Sequence, residues 1–596
     1  MRNAETILGI IRDRGRRGLP LDRIYRLLYN QDLYLYAYTK IYKNVGAMTP
    51  GATTETVDEM SINKIQAIIQ TVKNERYRWK PVRRVYIPKK NSKKKRPLGL
   101  PTWSDKLLQE VMKLILEAYY EPQFSTHSHG FRPNRGCHTA LSEIERKWPA
   151  TKWFVEGDIS KCFDSLNHKV LMSILRNKIQ DNRFLRLIEN LLKTGYLENW
   201  QYSTTLSGSP QGGIISPILA NIYLDNLDKF IETRLIPQYN TGTIRRPNPL
   251  YVKLRNRKRK LVARGKYEEA GKFLQEMKQI PSYDPCDSSF RRLRYVRYAD
   301  DFLLGFVGPK AEAEKIKGLI GEYLQNELKL ELSETKTLIT HAQTEKAKFL
   351  GYEIHTLHSN TKQTGNGRRS INGKIGFRVP LQTVRDKCKP YRRNGKPIHR
   401  TERINDSVYS IMKQYQLEYR GVVEYYRLAY NLKSLGKLRW AMEQSLARTL
   451  STKLRLSVKK ALHKFRKTVR VDGKLRKVLQ VQLEREDGKK PLTAHWGGIS
   501  LARKKNAVLI DSPPTIWNGR NELVQRLLAD SCEICGAQNK VEVHHIRALK
   551  DLERKGQKEK PRWVQIMAAR QRKTLVVCRK CHNQIHAGKL TQKVTD

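Results

Sequence analysis

Three short apolar runs, arranged around aspartates, constrain this chain more than any other feature. Trp153-Phe-Val-Glu-Gly-Asp158 ends in an acid, and Leu293-Arg-Tyr-Val-Arg-Tyr298 and Phe302-Leu-Leu-Gly-Phe306 read as strands flanking Ala299-Asp300-Asp301. Carboxylates at strand ends and tight turns sit on rigid backbone and reach into a cleft. If these strands are neighbours, Asp158, Asp300 and Asp301 converge, and such oxygen ligands suit Mg²⁺. Two ions about 3.5–4 Å apart are what nucleotide polymerisation requires, one activating a 3′-hydroxyl and one steadying the leaving pyrophosphate. Taken alone, Asp-Asp in a turn is usually a solvated loop.

The neighbouring segments shift that balance. Gly208-Ser-Pro-Gln-Gly-Gly213 precedes the helix-like stretch Ile214–Leu227, and its backbone can approach a nucleotide or template closely, with Gln211 hydrogen-bonding there. The plain alternative is a Gly/Pro loop before a helix. Phe163, five residues after Asp158, can pack against the sugar of an incoming nucleotide, although a lone aromatic is more often core. Pro81-Val-Arg-Arg-Val-Tyr-Ile-Pro88 has strand character, and six of the eight residues Lys89–Arg96 are basic. Lys89 and Arg96 could hold a triphosphate from such a hairpin tip, or belong to a solvated face.

The charge balance points to the same kind of partner. The chain of 596 residues has 115 Lys+Arg and 57 Asp+Glu, so 115 − 57 = +58. Its 39% hydrophobic content supports several folded cores, about four domains at this length, and argues against wholesale disorder. A folded chain this cationic is expected to engage a long nucleic acid. The N-terminal residues do not resemble a signal peptide, and no run approaches the roughly 18 apolar residues of a membrane span. A reduced, cytoplasmic protein without a membrane partner is therefore expected.

Further along, Ser104 can cap a helix whose apolar face is Leu108, Val111, Ile115 and Ala118, stopped by Pro122. Residues 236–292 form a basic insertion, expected as a helical pair around Tyr251–Gln279. From Asp406 to about Arg466 a long helical pattern mixes aromatics with Lys/Arg. Residues 467–530 have weak periodicity and many cations, suggesting a small irregular module or an extended connector.

Four of the eight cysteines lie near the C-terminus, as Cys532-Glu-Ile-Cys535 and Cys578-Arg-Lys-Cys581. Each Cys-x₂-Cys pair can complete half of a tetrahedral Zn²⁺ site. A structural zinc ribbon is the bland reading. It does not need His544, His545, His582 and His586 as well. Those histidines could hold a catalytic divalent ion while one activates water for phosphodiester cleavage.

In order, the chain carries Arg96-Pro-Leu-Gly-Leu-Pro101, His129-Gly-Phe-Arg-Pro133, Gly157-Asp158…Cys162-Phe-Asp164, Ser209-Pro-Gln-Gly212, Tyr298-Ala-Asp-Asp301, Leu332-Ser-Glu-Thr-Lys336 and Phe349-Leu-Gly351. This succession, over about residues 20–355, resembles the reverse transcriptases encoded within group II introns. Leu417–Asn431 resembles the maturase (X) region of the same proteins, and the C-terminal cluster resembles an HNH endonuclease.

The resemblance implies an α+β multidomain chain. Residues 1–80 would be an N-terminal extension and the start of the fingers, and 81–360 the fingers and palm of a right-hand polymerase. A helical maturase/thumb would occupy 361–466, a DNA-binding region 467–530, and a small zinc-containing ββα-metal domain 531–596. It implies that Asp158, Asp300 and Asp301 bind two Mg²⁺. Phe163 would exclude a ribose 2′-hydroxyl, and Lys89, Arg96 and Gln211 would contact nucleotide or template. His545 would be the nuclease general base, and His544, His582 and His586 would ligate its metal, expected as Mg²⁺. Where many HNH proteins have an Asn before the second Cys pair, this chain reads Lys573-Thr-Leu-Val-Val-Cys578, leaving the residue that orients the base unassigned.

The implied partners are the host intron RNA, target DNA and deoxynucleotides, and a homodimer is left open. The implied function is reverse transcription primed by a nicked target, with promotion of splicing. The alternatives are a homing nuclease on an inactive polymerase scaffold, and a splicing chaperone without turnover.

Overall fold

The computed structural model describes residues 3–44, 46–88, 95–198, 201–203, 208, 212–359, 361–362, 365, 370–471, 473–484, 491–510, 522–547, 552, 561–570 and 572–588. The chain opens with helices Ala4–Arg16, Gln31–Ile41 and Ile62–Lys73, whose caps Asn3, Asn30 and Ser61 accept from backbone N–H groups of the first turn. Strands β1 (Val82–Pro88) and β2 (Lys95–Leu100) form an antiparallel hairpin, with Ile87 opposite Arg96. Helix Trp103–Tyr120 follows. Its cap is Thr102, which binds the Asp105 N–H, while Ser104 lies inside the first turn and donates its hydroxyl to Glu55. The cap thus falls two residues before the expected position, because Ser104 is occupied by a tertiary partner.

Strand β3 (Trp153–Asp158) is the first of the central sheet. The short strands β4 (Tyr196–Glu198) and β5 (Gln201–Ser203) extend the β1–β2 hairpin in the order β2-β1-β4-β5. Helix Ser216–Phe230 leads to the insertion, where helices Pro249–Ala263 and Tyr267–Gln279 pack on each other. No side chain of the first of these is buried. Reciprocal backbone hydrogen bonds between Thr241 and Arg291 close the base of the insertion, so it stands off the body as a stalk.

Strands β6 (Arg292–Tyr298), β7 (Asp301–Val307) and β8 (Ile339–His341) complete the central antiparallel sheet in the order β6-β7-β3-β8. This sheet separates two cores. Val155, Tyr295, Phe302 and Leu304 face the N-terminal helices and helix Ser216–Phe230. Phe154, Val296 and Leu303 face helix Cys137–Lys147 and the segments beyond residue 347. Burial on both faces explains why β7 reads as an unbroken apolar run.

Strands β9 (Ala347–Phe349), β10 (Tyr352–Thr356) and β11 (Ile375–Arg378) form a small sheet, and β12 (Arg392–Arg393) pairs with β13 (Lys396–Pro397). Helices Val408–Tyr425, Gly436–Leu454 and Val458–Phe465 follow. Residues beyond 466 depart from expectation. Instead of an irregular module they begin a three-stranded antiparallel sheet, β14 (Arg466–Val471), β15 (Lys474–Leu483) and β16 (Leu492–Gly497). Trp496 on β16 is buried against Tyr415 and Tyr419, joining the sheet to helix Val408–Tyr425. Frequent cations on the open face mask the strand alternation in the sequence.

The C-terminal unit is a two-stranded sheet, β17 (Val541–His545) and β18 (Thr574–Cys578), with helices Arg562–Ala569 and Arg579–His586. Val541, Val543 and Val576 join the core built by the N-terminal helices. Cys532, Ile534, Leu575, Val577 and Ile585 form a separate small core on the other side. Among the described residues, no helix is long and apolar enough to cross a membrane.

Candidate active sites

The first site lies at the end of the central sheet. Antiparallel pairing of β3 with β7 sets Asp158 directly opposite Asp301, and Tyr298 pairs with Asp301 across the turn that carries Asp300. The three acids named from sequence are thus brought together. The turn is tight: Ala299 has φ +57°, and a Cβ on Gly130 would lie 2.4 Å from its backbone nitrogen. Only glycine allows the 127–130 segment to run this close. On β3, a Cβ on Gly157 would collide with the Phe302 ring, so glycine also lets β3 seat over that ring next to Asp158.

Arg297 fixes the turn from beneath. It is fully buried, and its Nε and Nη2 bind both oxygens of Asp228 at 2.7 and 2.6 Å. Its Nη1 donates to the Ala299 carbonyl at 2.8 Å, and Tyr295 donates its hydroxyl to the same Asp228 at 2.7 Å. The His129 N–H binds the Arg297 carbonyl and the Arg297 N–H binds that of His127, so the block around His129-Gly-Phe-Arg-Pro133 serves as a brace for the hairpin.

Burial, then the neighbouring Asp158, raises the Asp300 carboxyl above its usual range, opposed by Arg96 and Lys336. Burial, then Asp300 and Asp158, pushes Asp301 up to about 7. Carboxylates crowded this way gain from a shared cation. Lys336 donates to Asp158 at 2.7 Å. The sequence alone assigns Lys336 no role. Phe163 is half-buried on the turn Cys162–Ser165, with its ring edge-on to Phe131 at 6.3 Å. Arg96 lies on β2, close enough for its charge to act on Asp300. Lys89 and Gln211 lie outside the described residues.

The second site is in the C-terminal unit. The sulfurs of Cys532, Cys535, Cys578 and Cys581 lie within 4.8 Å of one another. Cys535 Sγ is 3.7 Å from that of Cys578 and 3.6 Å from that of Cys581. These separations match the edge of a tetrahedron whose centre is about 2.3 Å from each sulfur, the length of a metal–thiolate bond.

Alternation along β17 points Glu542 and His544 toward helix Arg579–His586, and Val541, Val543 and His545 toward the N-terminal helices. On the first side, His544 Nδ1 lies 2.9 Å from His582 Nε2, which lies 3.1 Å from His586 Nε2. His582 donates its Nδ1–H to Glu542 at 2.6 Å, the carboxylate–histidine pairing typical of a metal ligand. A fourth group, Asp58, reaches this cluster from the N-terminal half of the chain. Nothing in the sequence around Thr56-Val57-Asp58-Glu59 marks it.

His545 is not in that cluster. It faces away, buried, with Nδ1 3.2 Å from the Val543 carbonyl and Nε2 3.1 Å from the Tyr38 hydroxyl. Burial pushes both His544 and His545 down to about 4, so each is a neutral imidazole near pH 7. The ring, whose orienting residue the sequence leaves unassigned, is held by a backbone carbonyl and a tyrosine.

Three family models match: reverse transcriptase (RNA-dependent DNA polymerase) over residues 87–354, type II intron maturase over 381–494, and an AI2M/AI1M-like HNH endonuclease over 532–582. The maturase match runs through most of the β14–β16 sheet. The chain is 40% identical over 588 residues to the group II intron-encoded protein LtrA of Lactococcus lactis subsp. cremoris, covering 94% of this chain and 95% of that one. It is 35% identical to an uncharacterized 91 kDa protein in the cob intron of Schizosaccharomyces pombe, over 96% of this chain and 71% of that one. It is also 31% identical to the putative COX1/OXI3 intron 1 protein of Saccharomyces cerevisiae, covering 95% and 69%. With a reverse-transcriptase region, a maturase region and an HNH unit in one polypeptide, the chain belongs to the group II intron-encoded proteins, as a reverse transcriptase, maturase and endonuclease.

Proposed function

We propose that the chain copies intron RNA into DNA from a primer made by its own nick, and that it binds the same RNA to promote splicing. The observation that carries the polymerase reading is the register that sets Asp158 opposite Asp301 beside the Asp300 turn. Two Mg²⁺ bound there would supply the activated 3′-hydroxyl and the charge that stabilises the pyrophosphate. The chain's own part is to hold Asp158, Asp300 and Asp301 at fixed separation through the Arg297 brace. Lys336 balances the triad's charge until metal and nucleotide arrive, Arg96 meets the triphosphate, and the Phe163 ring fills the space that a 2′-hydroxyl would need. In this reading, the β1–β2 hairpin belongs to the fingers, the central sheet to the palm, and the helices from Val408 to Phe465 to the thumb.

In the nuclease unit, the four sulfurs would hold a structural Zn²⁺, to which the thiolate set is suited. His544, His582 and His586 would hold the divalent ion that polarises the scissile phosphate. His545, neutral and oriented by the Val543 carbonyl, would take the proton of the attacking water once its Nε2 is freed from Tyr38. Exposed cations on β14 and β15, such as Arg466, Lys467 and Lys474, are a fitting surface for nucleic-acid backbone. Action in the cytoplasm or nucleoid fits these substrates.

Primer extension on intron RNA tests the polymerase reading. Asp300→Ala is expected to reduce cDNA to background while intron binding and splicing persist, since only metal ligation is removed. Wild-type cDNA yield from that variant would refute the assignment.

A further inference from the structure

The nuclease site includes a residue that no HNH motif supplies. The segment Val57–Met60 lies alongside β17 as a partial third strand. The Glu59 N–H binds the Val543 carbonyl, the Val543 N–H binds the Met60 carbonyl at 2.8 Å, and Met60 pairs with Val543 in an antiparallel bridge. Val57 and Met60 are fully buried, so this contact is part of the core. It delivers the Asp58 carboxylate into the histidine cluster. Asp58 Oδ2 is 3.0 Å from His586 Nε2, and Oδ1 is 3.3 Å from His582 Nε2 and 3.6 Å from His544 Nδ1. The same Oδ1 accepts the His545 backbone N–H at 2.8 Å, which fixes the carboxylate's position.

One ligand atom from each of the four residues lies within 4.8 Å of the others. A tetrahedral site with metal–nitrogen and metal–oxygen bonds of about 2.0–2.1 Å has edges of roughly 3.3 Å. The three His–carboxylate contacts, made through both Asp58 oxygens, and the two His–His contacts at His582 run from 2.9 to 3.6 Å. Hydrogen bonding does not account for them. Each ring nitrogen has one proton or one lone pair, yet His582 Nε2 faces His544, His586 and Asp58 at once while its Nδ1 is committed to Glu542. A central cation satisfies all four groups together.

Resting on the three-histidine reading above, we infer that Asp58 is the fourth ligand of the nuclease metal, and that the segment carrying it holds the nuclease closed. Three imidazoles suit a tetrahedral ion such as Zn²⁺ better than the expected Mg²⁺, and for such an ion a site with three protein ligands keeps a position open for water or substrate, whereas one with four is closed. Asp58 takes the place that a scissile phosphate oxygen needs. On the opposite face of the same strand, Tyr38 occupies His545 Nε2, the atom that must meet the attacking water. Both blocks come from the N-terminal part of the chain. DNA therefore gains access when the nuclease unit separates from this part, which couples cleavage to a rearrangement next to the polymerase and restrains cutting by the free protein.

Co²⁺ titration of the full-length protein tests this. Its visible band reports the nitrogen/oxygen site, and sulfur-to-metal charge transfer marks the four-cysteine site separately. Asp58→Asn, which keeps shape and loses charge, and Asp58→Ala are expected to lower Co²⁺ affinity at the nitrogen/oxygen site on the order of 10–100-fold and to weaken its band. His582→Ala should remove the band. If His582→Ala keeps it, the three-histidine reading itself fails. If His582→Ala loses it while both Asp58 variants keep wild-type affinity and band, Asp58 is no ligand and the inference is overturned. Nicking of plasmid DNA at saturating divalent metal should rise several-fold when Asp58→Ala is combined with Tyr38→Phe, which removes both blocks, and an unchanged or lower rate in that double variant contradicts the closed state.

Discussion

Arg297 is the residue on which the polymerase site most depends, although it touches no substrate. It ties Asp228, Asn221, Ser128 and the Ala299 carbonyl together in a fully buried network. Removing one partner of a buried ion pair strands the other charge, at a cost of about 3–5 kcal/mol. Arg297→Met is expected to lower the thermal midpoint and to reduce primer extension more than an exposed Arg→Met change would. Thermal unfolding beside a kinetic assay checks both. Asp301 gives a pH prediction. With its carboxyl near 7, a proton competes with metal below that value and is gone above it. The Mg²⁺ concentration for half-maximal extension should fall as pH rises from about 6 to 8, and a flat profile contradicts it. The acids themselves were legible in the sequence because they punctuate apolar strands. Arg297 was hidden, since a basic residue within Arg292–Tyr298 looks like one more surface cation. Asp58 gave no local signal at all: its partners lie almost the whole chain away, and only tertiary contact makes it a ligand candidate.

Elements with a periodic face were the readable ones. The strands around the acids and the helical pair of the insertion have clear local patterns, and the structure has helices and strands there. The β14–β16 sheet escaped because one face is open and cationic while the other leans on Trp496, Tyr415 and Tyr419. The helix cap is Thr102 rather than Ser104: Thr102-Trp-Ser-Asp105 is itself a capping-box sequence, and Ser104 is taken by Glu55. The stalk formed by Pro249–Ala263 and Tyr267–Gln279 gives the prediction proper to this scale. Helix Pro249–Ala263 carries Lys253, Arg255, Arg257, Lys258, Arg259 and Lys260 with no acid, and buries nothing. Its charges are therefore available to phosphate. Replacing Arg257, Arg259 and Lys260 by Ala should leave the fold intact and weaken RNA binding. The slope of log affinity against log salt should become shallower by about 2, roughly 0.7 for each of the three lost contacts. Equal slopes for the variant and the parent chain would remove the stalk from the RNA interface.

At the scale of the whole molecule, the +58 charge suits a chain whose reverse-transcriptase and HNH sites both belong to families that act on nucleic acid. The sites are connected through packing. The central sheet, the N-terminal helices and one face of the nuclease sheet share a single core, so the polymerase region supplies part of the surroundings of the nuclease. That arrangement weighs against a homing nuclease on an idle scaffold, and the complete acid triad weighs against a chaperone without turnover. The central claim is that one chain makes a nick and then extends it. The most direct measurement follows both events on a labelled DNA target given the intron ribonucleoprotein, Mg²⁺ and deoxynucleotides. The parent protein should nick and extend, Asp300→Ala should nick without extending, and His582→Ala should extend only a target that is already nicked. Extension by Asp300→Ala, or nicking by His582→Ala at the parent rate, would contradict the account.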